Sequence, residues 1–476
     1  ANVLDNPEAY KKDEVWGKLA EHFSPTIIER KFQVYDLREV PLMHQTYGNK
    51  FIENSAKQQM ELAMRLPVTL AGALMPDAHA GYGLPIGGVL ATDHTVIPYA
   101  VGMDIGCRMS LTVFDAKPDF LKRYAHQTKV ALKEYTHFGM DGGLEFTQEH
   151  EVLDREEFRL TPLLQKLHGK AVRQLGTSGQ GNHFVNFGEL ELEADNTLQL
   201  PAGNYVALLS HSGSRGLGAA IAQHYSFLAR ESCKLPREAQ HFAWLDLHSE
   251  EGQAYWMSMN LAGDYARACH ERIHLNLAKA LGLIPIANVS NHHNFAWEEE
   301  IAPGNFAIVH RKGATPAYEG QPGLIPGSMA TPGYLVCGKG VRESLFSASH
   351  GAGRAMSRQQ AQSTFTQSAL KKFLAQAGVT LIGGSVEEMP LAYKDIERVM
   401  RAQENLVEIQ GRFMPRIVRM NKVKTKCYQK NIVVRITSLS HRELQVTTAS
   451  TILIGKISSG LTRLYIPKNW MVRIIA

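Results

Sequence analysis

The feature that most constrains this chain is a set of short Gly-flanked segments, each with side chains able to bind a metal. They are Pro76-Asp-Ala-His-Ala-Gly-Tyr-Gly83, Val101-Gly-Met-Asp-Ile-Gly-Cys-Arg108, Gly176-Thr-Ser-Gly-Gln-Gly-Asn-His-Phe184, Ser210-His-Ser-Gly-Ser-Arg-Gly216 and Asn291-His-His-Asn-Phe295. Glycine at such places lets the backbone come close to a ligand. A sixth segment, Ser349-His-Gly-Ala-Gly-Arg354, has the same character beside an arginine. A chain of 476 residues is long enough for two or three ordinary cores or for one unusually large catalytic unit.

Any one of the 20 histidines, taken alone, reads as a surface or hydrogen-bonded structural residue. The joint pattern reads differently. Asp104 and Cys107, three residues apart, can aim a carboxylate and a thiolate at one locus, and His183, His211 and His293 would add imidazoles from separate loops. Such a mixed O/S/N set suits Mn, Co or Zn rather than Mg or Ca, which take oxygen ligands. A thiolate has lone pairs enough to bridge two ions; the bland alternative is an acidic turn beside a buried small cysteine. Asn182, Asn291 and Asn294 stand beside these residues, where they could orient ligands or hold phosphate oxygens. Arg215, Lys312, Arg354 and Arg358 lie in or near the same segments, and arginine forks match phosphate geometry. Pro326-Gly-Ser-Met329, between two strand-like runs, could cradle phosphate through backbone N–H groups, although it lacks the ending of a P-loop.

Helical periodicity is clearest over 121–139, from Glu250 to Leu281, and from Tyr393 to about Gln410, where Ile396, Val399, Gln403, Leu406 and Val407 share one side. Strand-like runs are short: Tyr205 to His211, Asn305 to His310 and Tyr334 to Cys337. No stretch has the roughly 18 consecutive apolar residues of a membrane span, and the N-terminus lacks an apolar signal core, which predicts a cytoplasmic protein. The five cysteines, Cys107, Cys233, Cys269, Cys337 and Cys427, are too scattered for a disulfide framework. The formal charge of +5 is uneven: residues 421–476 carry ten Lys/Arg against the single acid Glu443, so that segment is +9 and the rest 5 − 9 = −4. A basic stretch favours polyanions without reading their sequence. The composition break near Asn421 marks 1–420 as the main unit and 421–476 as a basic extension, either a small β appendage or an ill-ordered tail.

Read in order, PDAHAGYGLPIGG (76–88), VGMDIGCR (101–108), GNHF (181–184), HSGSRG (211–216), HN (293–294), HRKGAT (310–315), PGSM (326–329), SASHGAGR (347–354) and MPLAYKDIERVMRAQ (389–403) resemble the RtcB family of 3′-phosphate RNA ligases. The resemblance implies an α+β fold of one large catalytic domain with a dinuclear metal cleft. By motif position, Cys107 would bridge two Mn²⁺ ions, with Asp104 and His183 completing one site and His211 and His293 the other. His350 would be the nucleophile that takes GMP from GTP, and Asp77 a supporting acid. The nucleotide would lie among Asn182, His183, Phe184, Val185, Asn186, His293, Asn294, Pro326, Gly327, Ser328, Met329, His350, Gly351, Ala352 and Gly353. The implied substrates are RNA ends bearing 3′-phosphate or 2′,3′-cyclic phosphate and 5′-hydroxyl, in RNA repair or tRNA splicing.

The family pattern has Glu where Asn186 stands, and Gly and Ser where Ala330 and Gly333 stand. A carboxylate accepts two hydrogen bonds from guanine better than an amide does; Glu189 is a nearby carboxylate that could take its place. A paralogue specialised for one damaged RNA, acting beside a translation-release-factor-like partner, is compatible with these changes. The rival readings are a dinuclear metallo-phosphoesterase that uses no nucleotide, and a non-catalytic RNA-binding protein driven by the basic extension. Neither accounts for His350 in HGAGR.

Overall fold

Runs of aliphatic and β-branched residues, with few charges, become the strands of two sheets. In the computed structural model residues 32–422 are described, apart from 140–142 and 145, together with the backbone of four strands between 432 and 475. The chain divides into two compact units, Ala1–Lys422 and Val423–Ala476.

In the first unit, seven strands follow one another across the larger, eight-stranded sheet: Pro285–His292, Arg108–Phe114, Gly203–Ser212, Phe184–Leu192, Val407–Met420, Gly333–Gly338 and Pro322–Ile325. Thr380–Ile382 joins the side of Val407–Met420 in parallel. Every residue of Arg108–Phe114 is buried, so this central strand is covered on both faces. The helix Glu250–Leu281 covers one of them. Ser249 caps its start by accepting from the Gly252 N–H at 3.0 Å, Glu250 and Glu251 sit at the positive end of its dipole, and Gly282 closes it in the left-handed region. Its 32 residues bury Tyr255, Met259, Tyr265, Ile273 and Leu277 among others.

The five-stranded sheet has the order Asn294–Ala302, Asn305–Lys312, Ile86–Thr92, Thr69–His79 and Gln45–Thr46. The chain passes from the larger sheet to this one between Pro285–His292 and Asn294–Ala302, so His293 alone occupies the corner. A separate two-strand ladder pairs Ala314–Pro316 with Ser347–Ser349 and delivers His350 beside that corner.

Two helical expectations are corrected. The periodicity from Tyr393 to Gln410 yields a helix only over Ile396–Arg401, with Asp395 as its cap; from Val407 the chain is a strand running to Met420. Leu406 and Val407 match a helical spacing, but the β-branched Ile409, Ile417 and Val418 favour extended backbone, paired between two neighbouring strands. The run 121–139 is two helices, Asp119–Arg123 and Ala125–Glu134, separated at Tyr124.

In the second unit the strands Thr451–Lys456, Glu443–Thr448, Ile432–Arg435 and Val472–Ile475 form a four-stranded sheet in that order. The basic side chains expected to meet polyanions there lie outside the described residues.

Candidate active site

Four neighbouring strands of the larger sheet bring their ends to one edge. Arg108–Phe114 starts just after Cys107, Phe184–Leu192 starts just after His183, Gly203–Ser212 ends with His211 and Ser212, and Pro285–His292 ends just before His293. Because adjacent strands are antiparallel, starts of two and ends of two coincide, with Met109 opposite His211 and His211 opposite Phe184. Side chains separated by up to 189 positions are thus neighbours, counting 293 − 104.

Cys107 is the shared centre. Its Sγ lies 3.2 Å from His211 Nε2 and 3.5 Å from His183 Nε2. His183 Nε2 is also 2.9 Å from Asp104 Oδ2, and His211 Nε2 is 3.1 Å from His293 Nε2. Two triads result, Asp104–Cys107–His183 and Cys107–His211–His293, with the ligand atoms of each within 4.8 Å of one another. His211 Nδ1 donates to the Asn182 carbonyl at 3.2 Å, which leaves its Nε2 as a lone pair facing the cluster. The turn before Cys107 is held from behind: Asn294 Nδ2 donates to Asp104 O at 3.3 Å, and the His293 N–H donates to Cys107 O at 3.0 Å.

Burial lowers the His211 imidazole to about 3 and pushes His293 well below its ordinary value. Burial, then the Asp104 carboxylate, drives the Cys107 thiol well above its usual range. Burial raises Asp104, but His183, Cys107 and Arg215 together hold it below its ordinary value. Imidazoles, a thiol and a carboxylate converging in one partly buried space offer the mixed N/S/O donors that transition-metal ions take, and they fit one or two such ions.

His350 stands beside this cluster, its ring centroid 5.1 Å from that of His293. Asp77, fully buried on the strand Thr69–His79, accepts from His350 Nδ1 at 2.6 Å and from the His350 N–H at 3.2 Å. The pair can be this close only because Gly353 is a glycine. Its φ is +69°, and a Cβ there would sit 2.0 Å from Asp77 O.

The other nominated residues fall into two groups. Pro326–Met329 does form the loop between Pro322–Ile325 and Gly333–Gly338, and it lies against the histidine loop, since the Ala352 N–H donates to Pro326 O at 3.0 Å. Phe184 stacks obliquely on His211 at 5.6 Å and packs with Met329. Asn186 is buried with its Oδ1 free of any described partner. Gly351 and Gly353 belong to the same loop, whereas Val185 turns to the opposite face of its strand, into the core.

Asn291, Arg354 and Arg215 are held by structural contacts, and Arg358 is half exposed. Asn291 clamps Thr315 and Leu324 rather than facing the cluster. Arg354 is engaged by Glu388, the Glu387 carbonyl and the face of Tyr393, and Arg358 also faces Glu388 at 3.6 Å. Arg215 donates to Thr177 and to Gly139 O. Glu189, three residues from Asn186 and so on the other face of the strand, is paired with Arg416 at 2.9 Å. It does not replace the missing carboxylate.

Sequence reasoning missed one group. Arg311 is fully buried, forks onto Glu299 at 2.7 and 2.8 Å, and donates to Ser347 Oγ at 2.7 Å and Leu345 O at 2.9 Å. It thereby anchors the short strand that carries His350. No spacing in the sequence links these residues.

Fold and cluster together define an α+β enzyme class: one large catalytic unit with a buried His/Cys/Asp centre able to hold metals. Residues 58–421 match the family model described as tRNA-splicing ligase RtcB. The chain is 31% identical to the RNA-splicing ligase RtcB of Escherichia coli K12, over 75% of this chain and 92% of that protein. It is 32% identical to the RNA-splicing ligase RtcB of Mycobacterium tuberculosis, over 75% and 98%, and 31% identical to the tRNA-splicing ligase RtcB of Nanoarchaeum equitans, over 72% and 86%. The chain belongs to the RtcB family. Among the described residues no helix is long and apolar enough to cross a membrane.

Proposed function

We propose that this protein is a cytoplasmic RNA ligase, acting in RNA repair or tRNA splicing, that joins 3′-phosphate or 2′,3′-cyclic phosphate ends to 5′-hydroxyl ends through a GMP adduct on His350. The observation that carries this reading is the pair of buried Asp77 and half-buried His350, 2.6 Å apart, set against the Cys107–His211–His293 triad.

Asp104, Cys107 and His183 would hold one Mn²⁺ ion, and Cys107, His211 and His293 the other. Bound there, the ions would neutralise charge that builds on phosphate oxygens. Asp77 takes the hydrogen bond from His350 Nδ1 and so leaves Nε2 unprotonated, the form that attacks phosphorus. In the first step Nε2 bonds to the α-phosphorus of GTP and the bond to pyrophosphate breaks. Asp77 then balances the positive charge on the substituted ring. Next, an oxygen of the RNA 3′-phosphate attacks the same phosphorus, the N–P bond breaks, and His350 is restored. Finally the 5′-hydroxyl attacks the activated 3′-phosphate, loses its proton and expels GMP. A 2′,3′-cyclic end enters this sequence after water opens it to a 3′-phosphate.

Asn182, Phe184, Asn186, Asn294, Pro326, Gly327, Ser328, Met329, Gly351, Ala352 and Gly353 surround the nucleotide on this reading, with Asn186 offering its free Oδ1 to the guanine edge. The test is incubation with Mn²⁺ and α-labelled GTP or ATP. We expect an acid-labile, alkali-stable GMP adduct that His350→Ala abolishes with metal content unchanged. An AMP adduct would reassign the base preference, and absence of any adduct would overturn the mechanism.

A further inference from the structure

Beside this centre lies an aromatic surface that the steps above do not use. Tyr82 is 75% exposed, at the tip of the Gly81-Tyr82-Gly83 loop. That loop is fixed rather than loose: the Gly81 N–H donates to Gln59 Oε1 at 3.0 Å, Gln59 Nε2 donates back to Gly81 O at 2.5 Å, and the Ala80 N–H donates to Glu53 Oε1 at 2.6 Å. Gly83, at φ +68°, brings the loop onto His241; a Cβ there would be 3.2 Å from the His241 carbonyl. The His241 ring meets Tyr82 edge to face at 6.2 Å and Tyr99 at 5.0 Å, and the Arg230 guanidinium lies over Tyr99 at 6.0 Å. An exposed aromatic ring on a clamped backbone loses little freedom when a flat ligand settles on it.

Charge and position identify the ligand. The cation at the edge of this surface is Arg230, which lies over Tyr99 and acts on His241; Lys312 is buried, and burial brings it down to about 7, so it serves as a hydrogen-bond donor to the loop. Lys312 donates through Nζ to the Tyr82 carbonyl and packs near Asn294 around Gly102; Asn294 in turn supports Asp104. The next residue, Gly313, donates to His293 O at 2.7 Å. One lysine side chain therefore separates the aromatic surface from the reacting centre. Aromatic faces edged by cations take up unpaired bases of single-stranded nucleic acid, stacking on the base while the cations meet the backbone.

We propose that Tyr82, backed by His241 and Tyr99, is a stacking platform for an unpaired nucleobase of the RNA strand close to its reacting end. The inference rests on the ligase reading above for the identity of the strand. The experiment places 2-aminopurine near the end of a single-stranded RNA and follows its fluorescence and the RNA Kd, which need no turnover, alongside KM for ligation. In the parent protein binding quenches the fluorophore. Tyr82→Ala and Tyr82→Leu abolish the quench and raise Kd and KM about ten-fold with kcat little changed, whereas Tyr82→Phe, which keeps the ring, behaves like the parent. No quench in the parent protein, or Kd for Tyr82→Ala within about two-fold of the parent, overturns the platform. A parent protein that forms no His350 adduct from GTP overturns the ligase reading instead, and the binding measurements still judge the platform.

Discussion

A histidine attacks phosphorus only through a nitrogen that keeps its lone pair, and at His350 the choice of nitrogen is made by Asp77. Replacing Asp77 by Asn keeps the shape but removes the charge that fixes the Nδ1–H tautomer and stabilises the substituted ring. We expect Asp77→Asn to slow adduct formation by about 10²–10⁴-fold in single-turnover assays with labelled GTP, at unchanged metal content. A rate equal to the parent's would show that Asp77 is only structural. Gly353→Ala should act through the same contact, since its Cβ would displace the Asp77 backbone, with loss of adduct again preceding loss of metal. At this scale the sequence disclosed what residue type restricts. Asp104, Cys107, His183, His211 and His293 can be nominated because few side chains bind transition ions and because each borders a glycine or asparagine turn. The fate of a cation was not legible, because Arg354 looks like a phosphate ligand until Glu388, 34 positions on, is seen to pair with it.

Among the elements, the helix Glu250–Leu281 could be read from its caps and its length, whereas Tyr393–Gln410 could not, because a six-residue helix and the start of a strand together imitate one longer periodicity. The strand Ser347–Ser349 shows a different limit: it is held less by its own sequence than by Arg311 and Glu299 from the other sheet. Breaking that pair should be costly. Glu299→Ala leaves a buried guanidinium without its carboxylate and should destabilise the protein by about 3–5 kcal/mol, measured by urea unfolding. The double variant Glu299→Leu/Arg311→Met removes both charges and should recover much of that loss. It should not recover adduct formation, because Ser347 and the Leu345 carbonyl lose the donor that places His350. A double variant as unstable as the single, or one that regains full adduct formation, would refute the anchoring role.

For the molecule as a whole, the gathering of the ligands at the junction of two sheets also fixes how the first unit responds to acid. The family match ends at residue 421 and the first compact unit at Lys422, so a single unit carries both the centre and the histidines buried around it. Those outside the ligand set include His274 and His310. Burial lowers His274 to about 3, between Thr112 Oγ1 and Ser210 Oγ, and lowers His310 to about 4. His310 is locked as the neutral form, with Nδ1 donating to Leu90 O and Nε2 accepting from the Ile97 N–H, so a second ring proton would face a donor. In the unfolded chain both titrate near 6.5. Between that value and about 4 the unfolded state binds protons that the folded state excludes, so stability falls as pH drops through this window and is unaffected above it. For His310 the full effect is roughly 3 kcal/mol. Carboxylates contribute mainly below pH 5, so urea midpoints at pH 7.5, 6.5, 5.8 and 5.0 isolate the histidine contribution. We expect a decline that starts near pH 6.5 and is shallower in His310→Gln, whose amide oxygen still accepts from Ile97 but takes up no proton. Midpoints that stay level down to pH 5.0, or an equally steep decline in the variant, would show that these histidines do not govern acid stability.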